Sequence, residues 1–133
     1  MKKIIFILII ILSCYGCTKE NSEFSKFATG TYYGEKTIYY LGTYNKSVDT
    51  ITIKFASSTY SYIGSDALDF GRGNYLIKNN SIEFKDDEAR NALYSWEWIL
   101  VGEHKFRLNG DSLILNKNGS YIQVSLRLMK IAK

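Results

Sequence analysis

The feature that most constrains this chain is a run of short alternating segments that extends from residue 30 to residue 129. Apolar residues alternate with polar ones, and Gly, Asn or Ser residues interrupt the pattern at regular intervals. Successive side chains of a strand point to opposite faces, so this alternation is typical of strands with one buried face. Proline, which disrupts central strands, is absent from the 133 residues. The sequence therefore predicts an all-β domain.

Nine segments have the length and composition of β-strands. They are residues 30–40, 49–56, 59–63, 73–78, 81–85, 94–101, 104–108, 111–117 and 120–129. Strands joined consecutively by short turns form an antiparallel meander, and a meander of this size removes its exposed edges best by closing on itself. We predict an up-and-down antiparallel β-barrel of about eight to nine strands, with a β-sandwich as the alternative.

Four tight turns predict which apolar residues face each other, because a two-residue turn fixes the register of its hairpin. The predicted pairs are Phe55 with Tyr60 and Ile53 with Tyr62 (turn 57–58), Tyr75 with Phe84 and Ile77 with Ile82 (turn 79–80), Phe106 with Leu113 (turn 109–110), and Leu115 with Ile122 and Leu113 with Val124 (turn 118–119). Each pair is apolar, so these registers predict one continuous apolar face.

A fifth turn at Gly102 and Glu103 leaves two alternatives. A two-residue turn would point Trp96 and Trp98 outward, as an exposed aromatic patch of the kind that marks a binding surface. An odd-length turn with Gly102 in a left-handed bulge would set Trp98 opposite Phe106 and return both tryptophans to the interior. We favour the bulge, because it keeps the larger apolar set out of water.

The N-terminus has the layout of a secretory signal. Basic Lys2 and Lys3 precede an apolar run over residues 4–12, and small and cysteine residues follow it up to Cys17. The apolar run is shorter than the roughly 20 residues that a transmembrane helix needs. Both cysteines, Cys14 and Cys17, lie at the end of this run, so they cannot cross-link the strands that follow.

The residues around Cys17 resemble the lipobox of bacterial lipoproteins, in which a small residue precedes a cysteine that is acylated. Cys17 follows Gly16 and precedes a polar stretch, so Cys17 is the predicted attachment residue. Cys14 is the alternative, although an aromatic Tyr15 follows it. On this interpretation residues 1–16 are a lipoprotein signal peptide, 17–27 a lipid-anchored tether and 28–133 the barrel domain. The partner implied for the N-terminus is a membrane, reached through acyl chains.

The net charge does not favour nucleic acid as a partner. The chain has 17 basic and 13 acidic residues, and removal of Lys2 and Lys3 with the signal leaves a net charge of +2. A basic patch or stripe is the usual electrostatic signature of nucleic-acid binding, and this balance does not supply one.

Three segments carry a resemblance to a known family. They are residues 94–104 (YSWEWILVGEH), residues 106–115 (FRLNGDSLIL) and residues 30–34 (GTYYG). Together they resemble the small lipocalin-like lipoproteins of Bacteroides-type bacteria. The resemblance implies a lipocalin-like barrel, attachment to the outer membrane and, for most members, no established biochemical role. Lys19, Glu20 and Glu23 make the tether only mildly acidic, which leaves the periplasmic and cell-surface leaflets as alternatives.

The sequence offers little support for catalysis or a cofactor. The only histidine, His104, lies on a predicted strand, where we expect it to be packed or hydrogen-bonded, and nucleophilic catalysis needs a base in reach of a nucleophile. One histidine and no spare cysteine cannot form a zinc site. Glu97 and Glu103 are candidates for glycoside hydrolysis only through their proximity to the tryptophans. We therefore predict no enzymatic activity, no metal and no cofactor.

Two groups of acidic residues are candidate calcium ligands. Asp66 and Asp69 share one predicted loop and residues 86–88 (DDE) begin another, but neither group has the spacing of a known calcium loop. We expect both groups to be solvated loop acids.

The aromatic content suggests the function. The chain contains 11 Tyr, 7 Phe and 2 Trp. Such rings fill the interior of a small barrel and pair across strands, and the alternative is that some of them line a pocket open at one mouth. We predict a non-enzymatic lipoprotein that binds a small hydrophobic or amphipathic ligand in the barrel, through Trp96, Trp98, Tyr75, Phe84 and Phe106. The alternative is an interaction module or inhibitor that binds another envelope protein or a glycan through its outer face or through loop 64–72.

Overall fold

A computed structural model describes residues 29–66, 69–88 and 100–131. Its elements are eight β-strands, and no helix occurs within these ranges. The strands are β1 (Gly30–Tyr40), β2 (Lys46–Phe55), β3 (Thr59–Gly64), β4 (Phe70–Lys78), β5 (Ser81–Asp86), β6 (Gly102–Asn109), β7 (Ser112–Asn118) and β8 (Ile122–Lys130).

The strands form a closed barrel in which each strand pairs antiparallel with the next one along the chain. The sheet closes where β1 pairs antiparallel with β8, from Tyr32 opposite Lys130 to Tyr40 opposite Ile122. The predicted all-β, up-and-down barrel is thus confirmed, and its eight strands and closed sheet are consistent with a lipocalin-like barrel.

Two of the predicted hairpin registers are confirmed. Phe55 faces Tyr60 across the turn at residues 57–58, and Tyr75 faces Phe84 across the turn at residues 79–80. Asn79 adopts a positive φ of 38°, a conformation that asparagine tolerates better than most residues.

The registers of the last two hairpins are wrong in the prediction. Phe106 faces Leu115 rather than Leu113, because the turn is centred on residues 110–111 and Gly110 supplies the positive φ (58°) at its first central position. Leu115 faces Leu126 rather than Ile122, because the turn is centred on residues 120–121, where the N–H of Gly119 donates to the carbonyl of Ile122. Both registers are shifted by an even number of residues, so every side chain keeps its predicted face.

Phe106 has described neighbours on both sides: it faces Leu115 on one, and on the other its N–H donates to the carbonyl of Asn80 at 3.0 Å. Its predicted partner, Trp98, lies outside the described residues. Gly102 has the predicted left-handed backbone (φ 82°), but it begins β6 opposite Phe84. Of the predicted strand 94–101, residues 94–99 lie outside the described residues.

Inward-facing side chains fill the centre of the barrel. Tyr32, Phe84 and Leu115 are at most 1% exposed. The aromatic rings of the interior contact one another, with centroids 4.8–6.2 Å apart. Three of these four contacts are edge-on, a favoured geometry of aromatic pairs. The fully buried set also includes Ile38, Ile51, Ile53, Ile82, Leu113, Leu126 and Leu128.

Candidate functional site

The two ends of the barrel differ. At the end that we call the closed end, the β3–β4 connection begins at Ser65, and Asp69 and Leu100 are buried. At the other end, which we call the open end, β1 begins, the turns at residues 57–58, 79–80 and 110–111 emerge, and β8 finishes. Polar groups occur at both ends, so we examined each as a site.

Two interior tyrosines fix the chain that enters β6 at the closed end. The hydroxyl of Tyr60 donates to the carbonyl of Leu100 at 2.8 Å, and the N–H of Leu100 donates to the hydroxyl of Tyr62 at 3.4 Å. The side chain of Leu100 is buried. Next to it, Lys117 donates to the carbonyl of Val101 at 2.7 Å. Part of the tyrosine content is thus explained by hydrogen bonds to the backbone.

His104 is packed in the interior, as predicted from its position on a strand. It is 1% exposed, and its ring meets Phe84 edge-on at 5.3 Å. Its Nδ1 donates to the carbonyl of Gly102 at 3.1 Å. Burial lowers the pKa of His104 to about 4, so the ring is neutral at pH 7. Among the described residues, the hydrogen-bond partner of the His104 ring is this backbone carbonyl, not a serine or cysteine side chain.

Asp69 is not the solvated loop acid that we expected. It is 3% exposed and forms a salt bridge with Lys36, which is also 3% exposed and projects from β1 into the barrel. A buried charge needs a partner of opposite sign, and this pair supplies one. The predicted loop 64–72 is also shorter than expected, because Arg72 lies within β4.

A second carboxylate joins this pair. Asp49 faces Lys36 across the β1–β2 ladder. Its Oδ1 accepts hydrogen bonds from the hydroxyl of Ser65 and from the backbone of Thr50. Lys36, Asp49 and Asp69 together form what we call the acid cluster of the closed end.

A cleft of about 720 Å³ lies at the open end. Its walls combine an aromatic ring, aliphatic groups and three charged side chains. The lining residues are Thr29, Gly30, Thr31, Lys54, Phe55, Asp111, Lys130 and Ile131. The volume falls in the range of small-molecule sites, roughly 300–1,000 Å³.

Two charged residues of the cleft, Lys130 and Asp111, act on Tyr32. The Nζ of Lys130 lies 6.0 Å from the centroid of this ring, at the outer limit of a cation–π contact. Burial, with a further contribution from the charge of Asp111, raises the pKa of the Tyr32 hydroxyl above its ordinary value. The cleft therefore has an apolar wall with two cations and one anion at its rim.

A smaller cleft of about 410 Å³ lies on the outer surface of β2, β3 and β4. Lys54 lines both clefts, and Arg72 lines only the second. Lys54 is therefore the cation that the two clefts share. Arg72 forms a salt bridge with Glu88 at 2.8 Å.

Three of the five predicted ligand-binding residues lie in the described part of the chain, and all three belong to the packed interior. Phe84 contacts Tyr60 and His104, while the hydroxyl of Tyr75 donates to the carbonyl of Ala56 at 2.6 Å. Phe106 is half-buried against the same core. Trp96 and Trp98 lie outside the described residues, as does Glu97, so their roles stay predictions. Cys14 and Cys17 also lie outside them.

The other acidic residues that we singled out make ordinary surface contacts. Asp87 accepts a hydrogen bond from Asn74, and Glu103 is exposed opposite Glu83. Within residues 29–66, 69–88 and 100–131, no group of three or more His, Cys, Asp or Glu side chains is placed to hold a metal ion.

Comparison with protein-family models, with curated proteins and with solved structures finds no match to this chain. In the described part of the chain, no helix has the length and apolar character needed to cross a membrane. The fold therefore defines the class of the molecule, an eight-stranded up-and-down β-barrel with a candidate site at each end.

Four charged residues of the two ends, Lys36, Asp49, Lys54 and Lys130, were not predicted from the sequence. Lys36 lies on the inward side of β1, between Gly34 and Ile38, so the alternation itself marked it as a buried cation. Lys54 and Lys130 carry no comparable signal, because they come together only where β2 and β8 flank the start of β1.

Proposed function

We propose that this chain is a lipid-anchored envelope lipoprotein without enzymatic activity, and that it binds a small amphipathic molecule with an anionic group. The ligand site in this proposal is the open-end cleft. The single observation that carries it is a cleft of about 720 Å³ in which Phe55 lies beside two lysines, Lys54 and Lys130.

The shape and lining of the cleft support an amphipathic ligand. Ligand sites are concave and mostly apolar, with a few polar groups that orient the molecule. Phe55 and Ile131 supply the apolar surface, and Thr29 and Thr31 supply hydroxyl groups. By contrast, the interior around Phe84 is filled by side chains, so the cleft is the better candidate than the barrel centre.

The charges of the cleft support an anionic group on the ligand. Lys54 and Lys130 outnumber Asp111, and neither lysine forms a salt bridge with another residue in the described ranges. An ammonium at the rim of an apolar cleft attracts a carboxylate or phosphate, and the charge-assisted hydrogen bond is stronger than a neutral one.

The position of the cleft fits the proposed anchor. Thr29, which lines the cleft, directly follows the segment that we interpret as a tether. A chain fixed to the outer membrane through Cys17 would have about 11 residues of tether, with a reach of roughly 36 Å at 3.3 Å per residue. The cleft would then lie at the end of the barrel nearest the membrane, where amphipathic molecules concentrate.

The anchor is tested by metabolic labelling with radioactive palmitate. We expect the unaltered chain to be labelled and Cys17→Ala to abolish the label, because the acylated cysteine would be missing. Cys14→Ala is the matched control and should remain labelled. A label that survives Cys17→Ala and is lost in Cys14→Ala would move the anchor to Cys14, and no label in the unaltered chain would contradict the lipoprotein assignment.

The ligand site is tested with octanoate as an anionic probe and 1-octanol as its neutral counterpart. We expect octanoate to shift the amide resonances of Gly30 and Lys130, and Lys54→Glu to weaken its binding by about tenfold, or 1.4 kcal/mol. Octanol should bind more weakly and should not respond to this substitution.

Lys46→Glu is the matched control for this test. Lys46 lies on the same strand as Lys54, is also exposed and undergoes the same change of charge, but it lies near the opposite end of the barrel. Equal effects of the two substitutions, or octanoate shifts confined to residues far from the cleft, would contradict the proposed site.

A second candidate function is binding of another envelope protein through the outer face. Four outward apolar residues, Met129, Tyr33, Ile63 and Phe70, lie in one row across neighbouring strands, with Thr52 between Tyr33 and Ile63. Ile63 is 59% and Met129 56% exposed, more than a structural role needs. A photo-crosslinker at Ile63 that captures one defined envelope protein in cells would favour this function over the ligand site.

A further inference from the structure

Two buried oxygens of the acid cluster have no hydrogen-bond donor. Oδ2 of Asp49 and Oδ1 of Asp69 are both inaccessible to solvent, and neither accepts a hydrogen bond from any described group. The remaining oxygens of the two residues are occupied, by Ser65 and Thr50 at Asp49 and by Lys36 at Asp69. A buried carboxylate oxygen without a donor is costly, and native structures rarely leave one.

The charges of the cluster are also unbalanced when both acids are ionised. Two carboxylates then face one ammonium, that of Lys36. The site is buried, because the side chains of Lys36 and Asp69 are only 4% and 3% exposed. Two carboxyl groups that share a buried site do not both ionise readily, because each negative charge disfavours the other.

The cluster is built from β1, β2 and the β3–β4 connection, which also carries Asp66, and β8 lies beside it. Lys36 comes from β1 and Asp49 from β2, Asp69 and Ser65 come from the β3–β4 connection, and β8 contributes the apolar Leu126 opposite Lys36. Among the described residues, Lys36 is the only cation that acts on the pKa of Asp49 or of Asp69.

We propose that Asp49 and Asp69 share one proton, which lies between Oδ2 of Asp49 and Oδ1 of Asp69 and closes the β3–β4 connection over this end of the barrel. The proton gives each orphaned oxygen a partner, since one becomes an O–H donor and the other accepts. It also leaves one negative charge against the one positive charge of Lys36. The inference is independent of the cleft and of the anchor.

The direction of the pKa shifts identifies Asp69 as the carboxyl that holds the proton. Burial, aided by the charge of Asp49, raises the pKa of Asp69 above its ordinary value despite the opposing effect of Lys36. At Asp49, burial acts in the same upward direction, but hydrogen bonds from Ser65 and Thr50 outweigh it and lower the pKa. The pKa values of the two acids are therefore shifted in opposite directions, as in a pair that binds a single proton.

Gly64 adapts the backbone to this arrangement. The N–H of Gly64 donates to the carbonyl of Asp69 at 2.5 Å, which closes the connection on itself. A Cβ at position 64 would overlap the carboxyl group of Asp69, so the close approach of the acid to the strand requires glycine. The connection is thus held by the carboxyl group of Asp69 at one point and by its carbonyl at another.

The sign of the pH dependence follows from the two shifts. The raised pKa of Asp69 favours the closed form at low pH, and this contribution is lost as the pH rises through the pKa of folded Asp69. The lowered pKa of Asp49 contributes stability above its ordinary pKa, and that contribution is lost as the pH falls through its folded pKa. The connection is therefore most stable between the two values and opens on the alkaline side when the shared proton leaves.

Asp69→Asn tests the proposal, because an amide has the shape of the acid, donates an N–H to Asp49 and cannot ionise. We expect the ratio of unfolding constants, wild type over variant, to rise about tenfold as the pH of the full chain is raised from 4 to 8, because the wild type loses the shared proton and the variant has none to lose. Asp87→Asn, which removes an exposed charge, should follow the wild type at every pH. The double variant Asp49→Asn/Asp69→Asn removes both carboxylates beside buried Lys36. It should be less stable at pH 7 than either single variant.

Carbon-13 titration of the wild-type aspartate carboxyls provides a readout that does not depend on any variant folding. One carboxyl should titrate above the ordinary aspartate range and its neighbour below it, with each sensing the other. Parallel pH profiles of the wild type and Asp69→Asn, or two carboxyls that titrate independently below pH 4, would overturn the proposal. A calcium- or sodium-dependent rise in wild-type stability that Asp69→Asn abolishes would also overturn it, by placing a metal cation where we place the proton.

Discussion

Replacing Phe84 with alanine is expected to destabilise the barrel by about 3–5 kcal/mol, the usual cost of removing a buried phenylalanine ring. Phe84 is 1% exposed and lies at the centre of the aromatic core. Its ring contacts Tyr60 at 4.8 Å, His104 at 5.3 Å and Phe55 at 6.2 Å. The cavity left by the substitution would be surrounded by rigid rings on paired strands, which leaves the site little room to collapse.

Equilibrium unfolding in urea measures this effect. Leu76→Ala is the matched control, because Leu76 lies on the neighbouring strand but is 58% exposed, and its truncation should change the free energy of unfolding by less than about 0.5 kcal/mol. A loss below about 1 kcal/mol for Phe84→Ala would mean that the ring borders open space. That result would return Phe84 to the role in ligand binding that the sequence suggested.

Acidification from pH 7 to pH 4 is expected to cost the folded state on the order of 3 kcal/mol through His104 alone. The unfolded histidine gains its proton near pH 6.5, but burial lowers the pKa of the folded one to about 4. Stability from this group is therefore fully present above pH 6.5 and is lost as the pH falls toward 4, because the unfolded chain binds the proton first.

His104→Leu isolates this contribution, since leucine fills the apolar site next to Phe84 and does not titrate. The free energy of unfolding of the variant should fall less steeply than that of the wild type between pH 6.5 and pH 4. The difference between the two curves is the informative quantity, because the acid cluster contributes equally to both. Curves that run parallel over this interval would show that His104 is protonated in the folded state, and hence that the ring is less enclosed than we describe.

The alternation of apolar and polar residues predicted the fold and the faces of the strands, and it could not predict every register. Leu113 and Leu115 face the interior whether the partner of Leu115 is Ile122 or Leu126, because a shift of four residues preserves the side of each side chain. The observed register sets two leucines against two fully buried leucines. The choice between registers thus depends on packing around the closed ring of strands, which local turn residues do not encode.

The charged parts of the candidate site were the least predictable from sequence. Asp69 lies in a short segment between two strands, and nothing in its neighbours distinguishes a solvated acid from one folded back onto Lys36. That contact depends on the length of the β3–β4 connection and on the space left by Gly64, both properties of the assembled barrel. The aromatic residues were easier to place, because burial of large rings follows directly from the period of the strand.

The position of β1 has a mechanical consequence. β1 is paired along its length on both sides, with β2 from Gly30 to Tyr39 and with β8 from Tyr32 to Tyr40. Tension on the polypeptide ahead of Gly30 acts along the axis of this strand and loads both rows of backbone hydrogen bonds in shear, so that many must break together. A chain tied to a surface by its N-terminus would therefore resist being pulled apart by flow far better than one whose first strand could be unzipped one bond at a time.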